Sequence, residues 1–325
     1  MESLIREKRF RSYPDGGIQV VYDLVIIGGG PAGLSAGIYA VRYGLNTLVL
    51  EKGFVSGQIS TTGEVENYPG FTSISGMELM DKFSEHAKAA GVVVESRDVL
   101  DVRSEGELKV ISTDSGDLET FSLIIATGAS PRKLGVSGED GFRGKGVSYC
   151  ATCDGPFFKG KNVLVVGGGE SAITDSLILS DLAASVCVVH RRDELRASKV
   201  LQDRAFAKPN IEFSWNTVLE EIIGDSVVRE VILRNAISGE TWTSPIDGIF
   251  IYVGVEPNTG FIDVEKDDYG FIVTDGKMAT SKAGIFAAGD CRAGVLRQVI
   301  TAASDGVIAA FEAYEYVSAM KHKGE

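Results

Sequence analysis

Two cysteines three positions apart with a carboxylate directly behind them, Cys150-Ala151-Thr152-Cys153-Asp154, can take up and release an electron pair as a disulfide and a dithiol. The attacking species in such an exchange is the thiolate. A neighbouring acid can take or return the proton of the leaving sulfur, which makes Asp154 the candidate proton donor or acceptor. Two cysteines at this spacing can also be an inert buried pair, so the chemistry depends on a source of electrons. Only Cys187 and Cys291 remain beside the pair, and the three histidines, His86, His190 and His322, are scattered. Four cysteines are too few for a disulfide framework, and no second Cys-x-x-Cys or paired histidines complete a zinc site, so no metal is expected.

Electron carriers are suggested by two glycine loops. The apolar run Tyr22–Ile27 leads into Gly28-Gly29-Gly30-Pro31-Ala32-Gly33, a helix-like segment from Ala32 to about Tyr43 follows, and a second apolar run from Leu45 ends at Glu51, 23 residues after Gly28. This is the spacing of a dinucleotide-binding βαβ unit. Gly28, Gly30 and Gly33 would allow the tight turn, the approach of a pyrophosphate to the helix N-terminus and close helix packing, and Glu51 would accept hydrogen bonds from a ribose hydroxyl. The same pattern returns 139 residues later. Asn162–Val166 leads into Gly167-x-Gly169-x-x-Ala172, with Glu170 and Ser171 inside the loop, and Ala184–Val189 ends at His190. There Arg191 and Arg192 follow at once and Arg196 four residues on, so a carboxylate is replaced by guanidiniums that clamp a phosphate in forked pairs. The ligand expected at the second loop is NADPH rather than NADH. The plainer alternatives are a glycine-rich turn with no ligand and a solvated basic strand end.

The elements that position these groups follow from the repeat. Apolar runs at Leu123–Gly128, Gly248–Gly254 and Gly284–Asp290, and a helical tail from about Gln298 to Met320, indicate an α/β fold of two Rossmann-like dinucleotide-binding domains, one inserted into the other. The first domain is expected at 1–128 and 255–325, the inserted one at 129–254 with the Cys-x-x-Cys, and the segments near 128 and 254 as paired hinge strands. At 325 residues, 44% hydrophobic, 24% charged and with 39 glycines, the chain suits two such cores. Its net charge of -13 disfavours nucleic acid as a partner. The first twenty residues carry Glu2, Arg6, Glu7, Lys8, Arg9 and Arg11 rather than an apolar signal segment, and no apolar run approaches the roughly 18 residues that span a bilayer, so no membrane association and a cytoplasmic location are expected.

Gly57-Gln58, Glu64-Val65-Glu66-Asn67-Tyr68-Pro69-Gly70, Ala126-Thr127-Gly128, Cys150-Ala151-Thr152-Cys153-Asp154-Gly155, His190-Arg191-Arg192-Asp193 and Gly289-Asp290, followed by Arg297-Gln298, stand in an order that resembles the low-molecular-weight thioredoxin reductases from about residue 20 to 315. The resemblance implies FAD in the first domain. Gly28, Gly30, Ala32, Glu51, Gln58, Asn67, Asp290, Arg297 and Gln298 match flavin-contacting positions, with Pro31, Gly33, Thr127, Gly128 and Gly289 in the same segments. It further implies a homodimer that carries electrons from NADPH through FAD and the Cys150/Cys153 pair to a thioredoxin or glutaredoxin-like protein, the inserted domain rotating on its hinges between half-reactions. Phe157, Phe158 and Lys145 lie where such a partner would dock, although either phenylalanine could equally be core. Three departures stand out: Ser56 in place of a usual glycine, Glu170 in place of Asn or Asp, and an extension before Tyr22. The rival functions are a flavin-dependent dithiol oxidase using oxygen, which would not need the arginines, and a non-enzymatic flavin redox sensor.

Overall fold

A computed structural model describes residues 9–12, 18–53, 59, 65 and 67–323. Spatially the chain divides into one unit of residues 1–60, 67–130 and 256–325 and another of residues 61–66 and 131–255. In chain order the first unit begins with β1 (Arg9–Ser12), paired antiparallel to β2 (Ile18–Ile27). The β2 strand starts four residues earlier than its apolar run suggests, because this pairing extends it. Then come α1 (Pro31–Arg42), β3 (Thr47–Glu51), α2 (Gly76–Ala89), β4 (Val93–Ser96), β5 (Val99–Glu105), β6 (Leu108–Thr113) and β7 (Gly116–Ile125). Leu24, Val25 and Ile26 are fully buried, as befits a strand with parallel neighbours on both sides, β3 and β7.

The chain leaves this unit through β8 (Ala129–Pro131). The second unit is built from β9 (Val147–Ser148), α3 (Ala151–Asp154), β10 (Asn162–Val166), α4 (Glu170–Ser180), β11 (Ser185–Val189), α5 (Lys199–Phe206), β12 (Ile211–Ser214), β13 (Thr217–Gly224), β14 (Val228–Asn235), β15 (Thr241–Pro245) and β16 (Gly248–Ile251). Its main sheet has the order β12-β11-β10-β16-β9, all parallel, and β13-β14-β15 form a separate antiparallel sheet. The chain returns through β17 (Val255–Pro257), which pairs with β8, and completes the first unit with β18 (Ile285–Ala287) and α6 (Val299–Lys323). The β7 strand serves two partners on one edge: its first half pairs antiparallel with β6 and its second half parallel with β18.

The internal repeat holds down to register. Ile27 pairs with Leu50 and Val166 with Val189, each partner 23 residues on. The backbone N–H of Gly28 donates to Leu50 O and that of Gly167 to Val189 O. Both α1 and α4 therefore start at the same point relative to their sheets. Among the described residues no helix is long and apolar enough to cross a membrane.

Candidate active site

In the first unit β2 turns into α1 at Gly28, whose φ of +110° and position make glycine obligatory: a Cβ there would lie 2.3 Å from Ala126 O. Gly33 is equally constrained, its Cβ position being 1.8 Å from Gly28 O. Gly30 differs. It is the N-cap of α1 with ordinary extended backbone (φ -76°), and a Cβ built on it would meet no heavy atom within 4 Å among the described residues. Pro31 sits at the first helical position, where its missing N–H costs nothing, and Ala32 is buried behind it. Neither conformation nor packing within the protein requires glycine at position 30. The residue leaves open the space in front of the α1 N–H groups, and a free helix N-terminus suits an anion such as a pyrophosphate.

Glu51 ends β3 beside this loop and its carboxylate accepts from Gly29 N–H; burial raises its pKa, opposed by the Gly29 and Lys52 N–H groups. Asn67 Nδ2 donates to Gln298 Oε1 at 3.1 Å, so two of the sequence-predicted flavin positions meet although 231 residues separate them. Gly289 and Asp290 form a single 3-10 turn after β18, with Gly289 N–H on Asp305 Oδ2. Burial pushes the Asp290 carboxyl up to about 6, with Arg297 pulling it down and Asp305 pushing it up. The Arg297 guanidinium lies 4.4 Å from the Phe271 ring centroid, and its buried Nε has no hydrogen-bond partner among the described residues. Thr127 and Asn258 bond reciprocally, Thr127 Oγ1 to Asn258 O and Asn258 Nδ2 to Thr127 O, while Asn258 N–H holds Gly128 O. Gln58 lies outside the described residues. An open helix N-terminus, a carboxylate at the strand end and an unpartnered buried guanidinium nitrogen fit a dinucleotide with a hydrogen-bonding ring system.

The second unit repeats the cradle with different chemistry. Gly167, at φ +152°, packs on Tyr252 O, whereas Gly169 is again an N-cap in ordinary extended backbone (φ -94°) with nothing within 4 Å of its Cβ position. His190 directly follows β11, its imidazole packed under Gly168, where a Cβ would come within 2.5 Å of the ring. Burial lowers the His190 pKa, and so, in turn, do the charges of Arg196, Arg192 and Arg191. The imidazole is thus held neutral while the three exposed arginines converge around it. Arg196 and Ala197 both donate backbone N–H groups to Gly168 O, and Ser198 N–H donates to Glu170 Oε1 at 2.6 Å. Glu170, longer than the usual residue here, fastens the arginine-bearing segment to the glycine loop; Ser171 stays exposed beside it.

The dithiol belongs to this same unit. Cys150 and Cys153 are joined as a disulfide, Cα atoms 5.3 Å apart, with Cys150 as the N-cap of the one-turn α3. Asp154 Oδ2 accepts from Ser148 Oγ at 2.6 Å, and the same hydroxyl oxygen accepts from Cys150 N–H. The acid is thereby fixed against the turn that carries the sulfurs. Beneath the turn, Ala151 N–H donates to Tyr252 Oη at 2.8 Å and to Asp175 Oδ2 at 3.2 Å. Burial pushes the thiols of Cys187 and Cys291 up to about 11, so neither is a nucleophile near neutral pH. Phe157 is 45% exposed, whereas Phe158 is buried against Phe250 with ring centroids 5.2 Å apart. Of the two aromatics only Phe157 is free to meet a partner.

Sequence reasoning did not find Ser148, Asp175 or Tyr252. Ser148 was within reach, two residues before Cys150. Asp175 and Tyr252 come from α4 and the end of β16, and no spacing links them to the dithiol.

Residues 22–306 match the family described as pyridine nucleotide-disulphide oxidoreductase. A thioredoxin reductase of Listeria monocytogenes is 47% identical over 308 residues, covering 94% of this chain and 97% of the relative. One of Treponema pallidum is 46% identical, covering 93% and 99%. The crystal structure of thioredoxin reductase from Streptococcus pyogenes superposes with a TM-score of 0.85 at 44% identity, covering 92% of this chain and 99% of that one. With both glycine cradles and the dithiol turn in place, the chain belongs to the pyridine nucleotide-disulphide oxidoreductases and, within them, to the thioredoxin reductases.

Proposed function

We propose that this protein passes electrons from NADPH, through FAD bound in the first unit, to its own Cys150–Cys153 disulfide and on to the disulfide of a thioredoxin or glutaredoxin-like protein. The observation that carries this is the presence, in one unit, of the disulfide, the open N-cap at Gly169 and the His190, Arg191, Arg192 and Arg196 cluster. When bound, FAD supplies the capacity to accept a hydride and return its electron pair to a disulfide. The chain's own residues do the rest. Gly30 and Gly169 admit the two pyrophosphates, Glu51 takes ribose hydroxyls, and Arg191, Arg192 and Arg196 select the extra phosphate of NADPH. Asn67, Asp290, Arg297 and Gln298 hold the flavin, and Gln58 joins them.

The dithiol half balances simply. The Cys150–Cys153 bond takes two electrons and two protons to give two thiols. A thiolate then attacks the partner's disulfide, the mixed disulfide is resolved by the second cysteine, and the partner leaves as a dithiol. Asp154, fixed by Ser148, exchanges protons with the sulfurs. The net reaction consumes NADPH, a proton and one protein disulfide. Rotation of the second unit about β8 and β17 would present the dithiol and the nicotinamide in turn, and Phe157 with Lys145 would meet the partner protein. We assign the enzyme to the cytoplasm as a homodimer, for which sedimentation gives the check on assembly. The functional test is an absorbance titration of purified holoenzyme with NADPH. Bleaching of a flavin band and its return on adding oxidised thioredoxin are expected; a band bleached by a small dithiol but not by NADPH, and restored by oxygen, would favour a dithiol oxidase, and no NADPH turnover with any disulfide acceptor would favour a sensor.

A further inference from the structure

The dithiol turn is tied down at one backbone atom, the N–H of Ala151, and both groups that hold it are titratable. Tyr252 Oη accepts this N–H at 2.8 Å and Asp175 Oδ2 at 3.2 Å, while the Tyr252 phenol donates to the Asp175 carboxylate. Asp175 projects from α4, the helix whose N-cap is Gly169, and Tyr252 follows β16, so the turn is pinned to the two elements that also frame the second glycine loop. Both groups are half-buried: burial raises the Asp175 pKa, and burial followed by the Asp175 charge raises that of Tyr252. Among the described residues the titratable groups bonded at this turn are Asp154 on α3 itself, Asp175 on α4 and Tyr252; Tyr149, between β9 and Cys150, donates to Glu139 and carries Arg143 5.5 Å from its ring centroid. The 3-10 turn Gly155–Phe158 that packs on α3 adds none. The groups that touch the turn directly, Asp154, Asp175 and Tyr252, are acids, and the Arg143 cation stands one residue further out on Tyr149. A helix N-terminus and a Cys-x-x-Cys both lower a cysteine pKa and this pair has both, while the carboxylates of Asp154 and Asp175, held at the same turn, act the other way.

We infer that Asp175, braced by Tyr252, is a positioning residue of the redox pair that pins the Cys150–Ala151 peptide and, through its charge, opposes thiolate formation at Cys150 and Cys153. It rests on Cys150/Cys153 being the redox pair. A carboxylate one peptide away from a sulfur acts through a partly dry path, where a unit charge changes the energy of forming a second charge appreciably. The reduced pair is thereby kept more fully protonated until a partner disulfide meets it, which shields it from adventitious oxidants.

The test is the pH dependence of alkylation. Holoenzyme is reduced with excess dithiothreitol, freed of it anaerobically, and treated with iodoacetamide across the thiol range; modification of the peptide bearing Cys150 and Cys153 is read by mass spectrometry. Asp175→Asn keeps an acceptor for Ala151 N–H and removes the charge, so the alkylation midpoint should fall by about one pH unit. Asp175→Glu should restore it. Tyr252→Phe loosens the same N–H but leaves the carboxylate, and should not lower the midpoint; nor should Asp181→Asn, the same charge change at the end of the helix. An unchanged midpoint in Asp175→Asn, or equal falls in Asp175→Asn and Tyr252→Phe, overturns the inference. Should Asp175→Asn not fold, Asp175→Ser carries the same expectation. Failure of NADPH to produce alkylatable thiols in the unmutated enzyme would instead sink the redox-pair assignment, and the dithiothreitol-reduced titration would still decide the role of Asp175.

Discussion

Gly169→Ala separates what the fold needs from what the ligand needs. The N-cap of α4 has φ -94° and ψ -177°, which alanine adopts freely, and its Cβ would meet nothing within 4 Å among the described residues. Loss of the glycine cap preference costs about 0.5–1 kcal/mol. Restricting the unfolded chain returns about 0.4–1 kcal/mol. The melting temperature of the NADPH-free enzyme should therefore stay within about 3 °C of the parent. The new methyl occupies the ground that a pyrophosphate must cross to reach the helix N–H groups. Losing one charge-assisted bond, about 1.5–3 kcal/mol, weakens NADPH about 10- to 150-fold. The contrast is Gly168→Ala, whose Cβ would lie 2.5 Å from the His190 ring; it should lose about 1–3 kcal/mol of stability by overpacking. Thermal unfolding and the KM for NADPH, measured on both variants, decide the matter. A Gly169→Ala enzyme with unchanged KM, or one that melts far earlier than the parent, refutes the reasoning.

Other consequences are open to direct measurement. Cys150→Ser and Cys153→Ser should each abolish thioredoxin reduction while leaving bleaching of the flavin by NADPH intact; full turnover in either would make the pair structural. Replacing Arg191 and Arg192 with alanine should raise the KM for NADPH by roughly two orders of magnitude and leave that for NADH nearly unchanged. Equal losses for both nucleotides would remove the arginines from phosphate selection. Asp290 has a folded-state pKa of about 6 against an ordinary 3.8, so it binds more protons folded than unfolded. Its stabilising contribution is full below the ordinary value and is lost as pH rises through about 6. In FAD-free protein Asp290→Asn should accordingly raise the melting temperature at neutral pH relative to the parent and lose that advantage in acid; FAD binding should weaken at the same time.

Both βαβ units were readable in the sequence because each consists of short apolar runs closed by glycine, and the parallel strands they predict are buried on both faces: Leu48, Leu50, Val163 and Val188 are all essentially inaccessible. The antiparallel pieces were not. β15 is almost wholly exposed and β5 largely so, which leaves little of the hydrophobic alternation that marks a strand. Glu170 was visible as a departure but not as an anchor, because its partner Ser198 lies 28 residues away across a loop. The same limit hid Asp175 and Tyr252: groups gathered around one peptide N–H from three separate elements leave no periodic trace. Phe157 and Phe158 could not be told apart from sequence, since adjacent residues in a tight turn point opposite ways and only packing against Phe250 decides which is buried.

The interrupted course of the first unit bears on how the chain is made. Ser122 Oγ donates to Gly284 O across 162 residues, and the second half of β7 meets β18 over the same gap. At about 5–20 residues per second a ribosome needs roughly ten to thirty seconds to deliver β18 after β7 has emerged. Throughout that interval Leu123, Ile124 and Ile125, inaccessible in the finished protein, form an unpaired apolar strand edge of the kind that templates aggregation. Apart from residues 61–66, which are made earlier still, the second unit runs without interruption from Pro131 to Val255, so it is able to fold while its host is still a half-built sheet. Co-translational folding thus runs from the inside of the sequence outward, and the nascent chain's need for chaperone cover is greatest between the emergence of β7 and that of β18.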